Sequence, residues 1–124
     1  MLEQSFLFDL FYSVNESELI VDERFSKINS AEDFISSKEG HVLLDSISMR
    51  LQFIGETIKK NEHTNPDILQ KYNQIKWGDI VHFRDFISRH YELLDHQIIF
   101  RICQNDIPEL KKVTSAILSR LKNS

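Results

Sequence analysis

Glycine, proline and cysteine are scarce in this chain of 124 residues, and each scarcity excludes a class of protein. Three glycines and two prolines leave few sites for the turns that separate many short strands, so long helices are favoured. The single cysteine, Cys103, excludes an intrachain disulfide and is typical of a reducing compartment, so a cytoplasmic location is expected. Its apolar neighbours predict a small core residue rather than a nucleophile.

Long apolar runs are also missing. No stretch approaches the roughly 18 apolar residues that a membrane span needs, and the N-terminus has no cationic leader or cleavage pattern. We therefore expect neither membrane insertion nor secretion. Hydrophobic residues make up 41% and charged residues 27% of the chain, a balance typical of a globular protein. The length predicts a single domain over residues 1–124.

Positive charge is in short supply overall, because the formal net charge is −4. That balance disfavours indiscriminate RNA binding, which depends on phosphate contacts. The charge is unevenly spread, however. Residues 1–46 carry ten acids and three bases, a balance of −7, and residues 47–124 carry nine acids and twelve bases, a balance of +3. An RNA would be expected to meet the C-terminal part, although a mixed, solvated surface explains most of these charges equally well.

Apolar residues recur every three or four positions nearly throughout, which predicts an all-α bundle of four to six antiparallel helices. In the first helix Glu18 takes the place of one apolar residue, and Asn15 with Glu18 could instead be a capping box that starts a second helix. The expected helices are 2–29, a short one from Ser30 to near Gly40, 41–62, a short one capped by Asn65, 77–91, 94–103, and a last one that starts at Asp106 and Pro108.

The most unusual positions lie in the helix predicted over 77–91. Ile80, Arg84, Ile87 and Tyr91 share one face at spacings of 4, 3 and 4, so Arg84 occupies a position where the pattern favours leucine. One interpretation is structural: the arginine extends to the surface or pairs with an acid such as Glu56 or Asp85. The other is functional, because a planar guanidinium held at a surface can grip a phosphate with two N–H groups.

The remaining candidate chemistry is sparse. His41, His63, His82 and His96 have no metal-ligand spacing with one another or with the cysteine. The glycines form no phosphate-binding loop. No metal or cofactor is therefore expected. His90, considered alone, is more often a surface or packing residue than a catalyst.

Several landmarks together resemble one family, the HepT-like HEPN ribonuclease toxins. The similarity covers roughly residues 20–120 in the same order and spacing. It rests on residues 30–34, 54–56, 75–77, 84–88 and 106–110, together with Gly40, Leu44, Asp45, Met49, Tyr91 and Asp95.

The resemblance implies a small helical bundle that forms a two-fold homodimer. It also implies metal-independent RNA cleavage, in which a ribose 2′-hydroxyl attacks the adjacent phosphate. The implied partner is a minimal nucleotidyltransferase antitoxin that transfers AMP from ATP to the motif tyrosine. The implied substrate is RNA, with tRNA and mRNA both open.

The family motif is an arginine, four residues, a histidine, one residue and a tyrosine. Arg84 and Tyr91 match it, but Arg89 stands at the histidine position and His90 follows one place later. Arginine stays protonated at neutral pH and cannot act as a general base, although it can stabilise charge on a phosphate. His90 can substitute if the site absorbs a rotation of about 100° per helical residue.

Two hypotheses therefore stand. In the first, the chain is an endoribonuclease toxin in which Arg84, Arg89 and His90 are catalytic, Tyr91 is the AMP acceptor, and Asp85 and Glu56 support Arg84. In the second, the chain is a catalytically impaired subunit that keeps the dimer and the nucleotidyltransferase contact. Whether Asp85 and Glu56 orient the arginine or merely solvate the surface stays open.

Overall fold

The apolar spacing folds, as predicted, into helices joined by short connections. The computed structural model describes the backbone of residues 2–89 and 95–123 and the side chains of residues 5–87 and 95–123. Its helices are α1 (Leu2–Phe25), α2 (Lys38–Thr64), α3 (Pro66–Lys71), α4 (Trp77–Arg89), α5 (His96–Arg101) and α6 (Ile107–Lys122), with a 3₁₀ turn at Ala31–Phe34 and a π turn at Ile102–Asp106. The all-α prediction is confirmed, and no helix in these ranges is long and apolar enough to cross a membrane.

The first helix is a single element, so the alternative start at Asn15 is wrong. α1 ends at Phe25 rather than at the predicted residue 29. Its last turn tightens, because the backbone N–H of Ile28 donates to the carbonyl of Phe25 at 2.9 Å. This shorter turn brings Ile28 into the core, where it is buried.

The predicted helix start at Ser30 is confirmed, but its length is wrong. The Asp33 carboxylate accepts the backbone N–H groups of Asn29 and Ser30 at 2.7 and 3.2 Å. The resulting 3₁₀ turn ends at Phe34, and a new cap follows: Ser37 Oγ accepts the backbone N–H of Gly40 at 2.9 Å. Gly40 therefore lies in the first turn of α2 and does not end the preceding helix.

The last predicted helix start, at Asp106 and Pro108, is confirmed, because α6 begins at Ile107 with Asp106 as its N-cap and Pro108 in its first turn. The sequence did not predict that the chain stays helical from α5 through α6. An α-helix cannot accept Pro108 in its interior without losing an N–H donor and crowding a carbonyl one turn earlier. The π turn just before it widens the helix, and the N–H of Ile107 donates to Ile102, five residues back. The proline is thereby accommodated without a break.

The helices pack in the spatial order α4, α2, α1, α6. Neighbours run antiparallel where side chains join them, since Glu18 and Asp22 of α1 contact Thr114 and Lys111 of α6 in reverse order. The core lies between these helices, and its fully buried side chains include Phe11, Phe34, Ile47, Ile58, Ile99, Leu110 and Ile117. α4 and α6 stand at the two ends of this order and do not pack closely along their described residues.

Two titratable side chains, those of Cys103 and Glu18, lie in the interior. Cys103 is buried, and burial, aided by the negative charge of Asp22, raises the pKa of its thiol to about 12. The prediction of an unreactive core cysteine is confirmed. Glu18 is fully buried, as its place in the apolar pattern requires, and its Oε2 accepts the Thr114 hydroxyl at 2.9 Å. Its Oε1 has no hydrogen-bond partner among the described residues.

The buried Glu18 makes the free energy of unfolding fall as the pH rises from about 4.5 to about 8. Burial raises the pKa of this carboxyl from 4.5 to about 8, with Asp22 adding to the rise and Thr114 and Lys111 opposing it. The folded chain thus keeps a proton that the unfolded chain releases above about pH 4.5. The contribution of Glu18 to the free energy of unfolding is therefore complete below about pH 4.5. It falls by roughly 1.4 kcal/mol per pH unit as the pH rises to about 8. We expect Glu18→Gln to flatten the fall in urea-unfolding free energy between about pH 5 and pH 8.

The matched control is Glu16→Gln, which removes an exposed carboxylate two residues away on the same helix. That variant should keep the wild-type slope. Identical slopes for wild type, Glu16→Gln and Glu18→Gln would contradict a protonated carboxyl between α1 and α6.

Candidate functional site

The candidate site is built where α2 and α4 come closest. A side-chain Cβ added at Gly55 of α2 would overlap the Cβ of Arg84 and lie 3.0 Å from the carbonyl oxygen of Ile80. Only glycine allows this approach. The stem of Arg84 therefore rests against the backbone of α2, between the buried side chains of Ile80 and Ile87.

The guanidinium of Arg84 emerges from this contact toward two carboxylates. Its Nη1 donates to Oδ1 of Asp85 at 2.8 Å, and its Nη2 lies 3.4 Å from Oε1 of Glu56. Side-chain exposure is 29% for Arg84, 47% for Glu56 and 35% for Asp85. The structural interpretation, in which Arg84 pairs with an acid, is thus correct, and the arginine pairs with Glu56 and Asp85 simultaneously. The three residues form what we call the Arg84 cluster.

Pairing at this exposure orients the arginine more than it stabilises the fold, because surface ion pairs contribute only about 0–1 kcal/mol. The hydrogen bond to Asp85, helped by Glu56 and opposed by partial burial, raises the pKa of Arg84 above its already high value. The guanidinium is therefore a permanent cation. Its Nε is buried without an acceptor among the described residues.

The Arg84 cluster has a formal charge of −1, since one guanidinium faces two carboxylates. A phosphate would find a directed N–H donor on Arg84 but also the negative charge of two carboxylates. The described cluster alone therefore does not favour binding of an anion. Additional positive charge has to come from elsewhere. The candidates in the sequence are Arg89 and His90.

The structure brings together three of the six predicted site residues. Arg84, Asp85 and Glu56 meet in one cluster. Arg89 ends α4, and its side chain lies outside the described residues, as do His90 and Tyr91 entirely. The catalytic and modification roles assigned to these residues stay predictions. Among the described residues, no group of histidine, cysteine and acidic side chains could hold a metal ion.

Sequence reasoning missed the part that Gly55 plays. The signal was available, because a glycine inside a helix costs about 1 kcal/mol relative to alanine and usually has a packing reason. What the sequence could not show is that the residue across the contact is Arg84.

The chain also matches a known protein family over most of its length. The Ribonuclease HepT-like family model matches residues 17–117, so the chain belongs to the HepT-like HEPN family. Membership implies an endoribonuclease, and the resemblance inferred from the sequence is confirmed.

Curated relatives agree with this assignment. A Methanocaldococcus jannaschii protein is 25% identical over 109 residues, 88% of this chain and 90% of its own length. A second from that organism is 26% identical over 125 residues, 98% of this chain and 94% of its own length. One from Caldanaerobacter subterraneus is 29% identical over 109 residues, 88% of this chain and 90% of its own length. All three are named as putative RNases. No solved structure is significantly similar to this chain.

The contact at Gly55 gives a direct test of how Arg84 is positioned. We expect Gly55→Ala to lower the free energy of unfolding by about 1–3 kcal/mol, because the added methyl forces α4 away from α2. Gly78 is the matched control, since a Cβ there meets nothing within 4 Å. Gly78→Ala should be neutral or up to about 1 kcal/mol more stable. Equal thermal midpoints for the two variants would contradict the close approach.

Proposed function

We propose that this protein is an endoribonuclease toxin of a two-gene toxin–antitoxin pair, in which Arg84 binds the scissile phosphate. The observation that carries the proposal is the directed guanidinium of the Arg84 cluster, a permanent cation that is partly exposed and anchored by its stem against α2. A planar fork fixed in this way can donate two N–H groups to one phosphate once a carboxylate releases it.

The proposed reaction needs no metal. The ribose 2′-oxygen attacks the neighbouring phosphorus, its proton passes to a base, and the 5′-oxygen leaves with a proton. The products are a cyclic phosphate and a 5′-hydroxyl end. Arg84 and Arg89 stabilise charge on the phosphoryl oxygens, and His90 moves the proton. The RNA is tRNA or mRNA.

A second candidate follows from a specific observation: Arg89 stands where the family motif has histidine. A residue that stays protonated cannot accept the 2′-hydroxyl proton. The chain would then be a catalytically impaired subunit that still binds the nucleotidyltransferase. The net negative charge of the Arg84 cluster also favours this alternative.

A two-fold homodimer would place two Arg84 clusters side by side. Because each cluster has a formal charge of −1, the missing positive charge would have to come from Arg89 and His90 of both chains. Val42, Met49 and Phe53 line the outward face of α2 at exposures of 60%, 64% and 41%, and Glu56 continues that face at helical spacing. An exposed apolar stripe of this kind is typical of a protein–protein contact. Pairing two copies along it would bring the two Arg84 clusters near one another, so that the cations of both chains act on one RNA.

Silencing by AMP transfer fits the same electrostatics. In the proposed reaction the phenol oxygen of Tyr91 attacks the α-phosphorus of ATP, pyrophosphate leaves, and the phenolic proton is lost to solvent. The attached nucleotide carries a negative phosphodiester, which would repel RNA from Arg84 and obstruct the cleft. The catalyst of this step is the partner nucleotidyltransferase.

The ribonuclease proposal is tested at position 89. We expect Arg89→His to raise RNA cleavage by about 10²- to 10⁴-fold if the native chain lacks a base, because a neutral imidazole can accept the 2′-hydroxyl proton. Cleavage of a labelled RNA by purified protein is the measurement, with growth of the expressing cells as a second readout. Adding Arg84→Gln to the Arg89→His background should abolish the gain.

Three outcomes separate the two candidates. Measurable cleavage by the native chain supports the toxin with His90 as base. Cleavage only by Arg89→His supports the impaired subunit. No cleavage by either version contradicts the proposed chemistry. Light scattering on the same samples should show a dimer at micromolar concentration, and a monomer would remove the shared cleft.

The AMP proposal is tested by mass. Incubation with ATP and the nucleotidyltransferase should add one AMP to the native chain and none to Tyr91→Phe. Tyr72→Phe, on the same chain but at the end of α3, is the control and should still be modified. Equal labelling of the native chain and Tyr91→Phe would exclude Tyr91 as the acceptor.

A further inference from the structure

A groove of about 550 Å³ lies where α4 and the start of α6 fail to pack against each other. Its apolar side is formed by Phe83 and Phe86, which are partly buried against the core. Three carboxylates line it as well: Asp79 on α4, Asp106 on the π turn and Glu109 on α6. We call this feature the acidic groove.

The carboxylates of the acidic groove lie close enough to affect one another. Partial burial, then the negative charges of Asp79 and Glu109, raise the pKa of Asp106, while Arg101 opposes the rise. Lys76 also lines the groove, which leaves a formal charge of −2. A cationic side chain placed among these carboxylates would relieve their repulsion, and the apolar side would cover its hydrocarbon stem.

The acidic groove and the Arg84 cluster lie on different flanks of α4. Asp79, Phe83 and Phe86 recur at spacings of 4 and 3, whereas Arg84 and Ile87 lie one position later than Phe83 and Phe86. Ile80 lies between the two flanks and also lines the groove. One position corresponds to about 100° around the helix. RNA is repelled by the groove's negative charge. The occupant that fits an apolar surface with carboxylates is a basic protein segment.

We propose that the acidic groove is the docking site for the nucleotidyltransferase, which would insert a segment that presents lysine or arginine beside apolar side chains. This assignment rests on the proposed function for the identity of the partner. The position of the groove supports it, because Tyr91 is five residues beyond Phe86 in sequence. Five residues span at most about 18 Å, so an enzyme docked at Phe86 has its acceptor tyrosine within reach while the Arg84 flank stays uncovered.

The experiment compares two variants that change net charge by the same amount. Asp79→Asn with Glu109→Gln removes two exposed carboxylates from the groove, and Asp9→Asn with Glu16→Gln removes two exposed carboxylates from α1. Binding of the purified nucleotidyltransferase is measured by calorimetry, and AMP transfer by mass. The groove variant should bind at least roughly tenfold more weakly and gain AMP more slowly, while the α1 variant should match the native chain.

A charge-keeping variant, Asp79→Glu with Glu109→Asp, separates charge from shape and should retain most of the binding. Added salt should weaken the native complex more than the complex of the groove variant, because the variant has two fewer carboxylates whose attraction salt can screen. Equal melting midpoints for the variants would exclude misfolding as the cause.

The outcomes separate this inference from the proposed function. Undiminished binding and AMP transfer in the groove variant would overturn the docking site and leave the modification intact. Binding that depends on the groove, without AMP transfer to any residue, would support docking and overturn the modification. The assignment would be overturned if the native chain did not bind the nucleotidyltransferase. It would also be overturned if the groove variant lost the homodimer, or if its only change were tighter binding of RNA.

Discussion

The contact between Gly55 and Arg84 is the constraint on which the candidate site depends. Since a Cβ at Gly55 has no room, the backbone of α2 itself forms the wall that holds the arginine stem. The guanidinium can then reach only outward, where Glu56 and Asp85 receive it. The structural and functional interpretations of Arg84 are therefore compatible. The ion pairs add little stability at this exposure, but they limit the directions in which the N–H groups point, which is what recognition of a phosphate requires.

The charge balance around that arginine constrains any mechanism. Two carboxylates against one guanidinium leave a cluster that repels RNA more than it attracts it, so a second cation must enter before phosphate binding is favourable. The proposed dimer would bring Arg89 and His90 of both chains to one RNA, because the exposed apolar face of α2 that would form its contact runs to Glu56 at the edge of the cluster. The same reasoning supports the proposed silencing by AMP: where attraction for RNA is marginal, a negative phosphodiester on Tyr91 would turn it into repulsion.

Periodicity predicted the helices well because burial and helical pitch jointly dictate the spacing of apolar residues. Helix ends were predicted less well, since Gly40 was expected to end a helix but lies in the first turn of α2, and helical continuity before Pro108 was not expected. Ser37 provides the true cap of α2, and the π turn absorbs the proline; both depend on local hydrogen bonds that apolar spacing does not encode. For the site, the sequence placed Arg84 and named both of its partners. The acidic groove could not be predicted, because Asp79, Asp106 and Glu109 come from elements whose meeting is decided only by tertiary packing.

The opening between α4 and α6 follows from how the helices share their core. α2 and α1 lie in the middle of the order and are covered on both sides, whereas α4 packs chiefly against α2 and α6 chiefly against α1. On the flank of α4 that faces α6, Phe83 and Phe86 are therefore only partly buried, and the π turn places Asp106 beside them. One helix thus presents a cation on one flank and carboxylates on the other. In the proposed system the RNA phosphate would bind at Arg84 and the regulator's basic segment would bind in the acidic groove, so the two need not compete for the same surface.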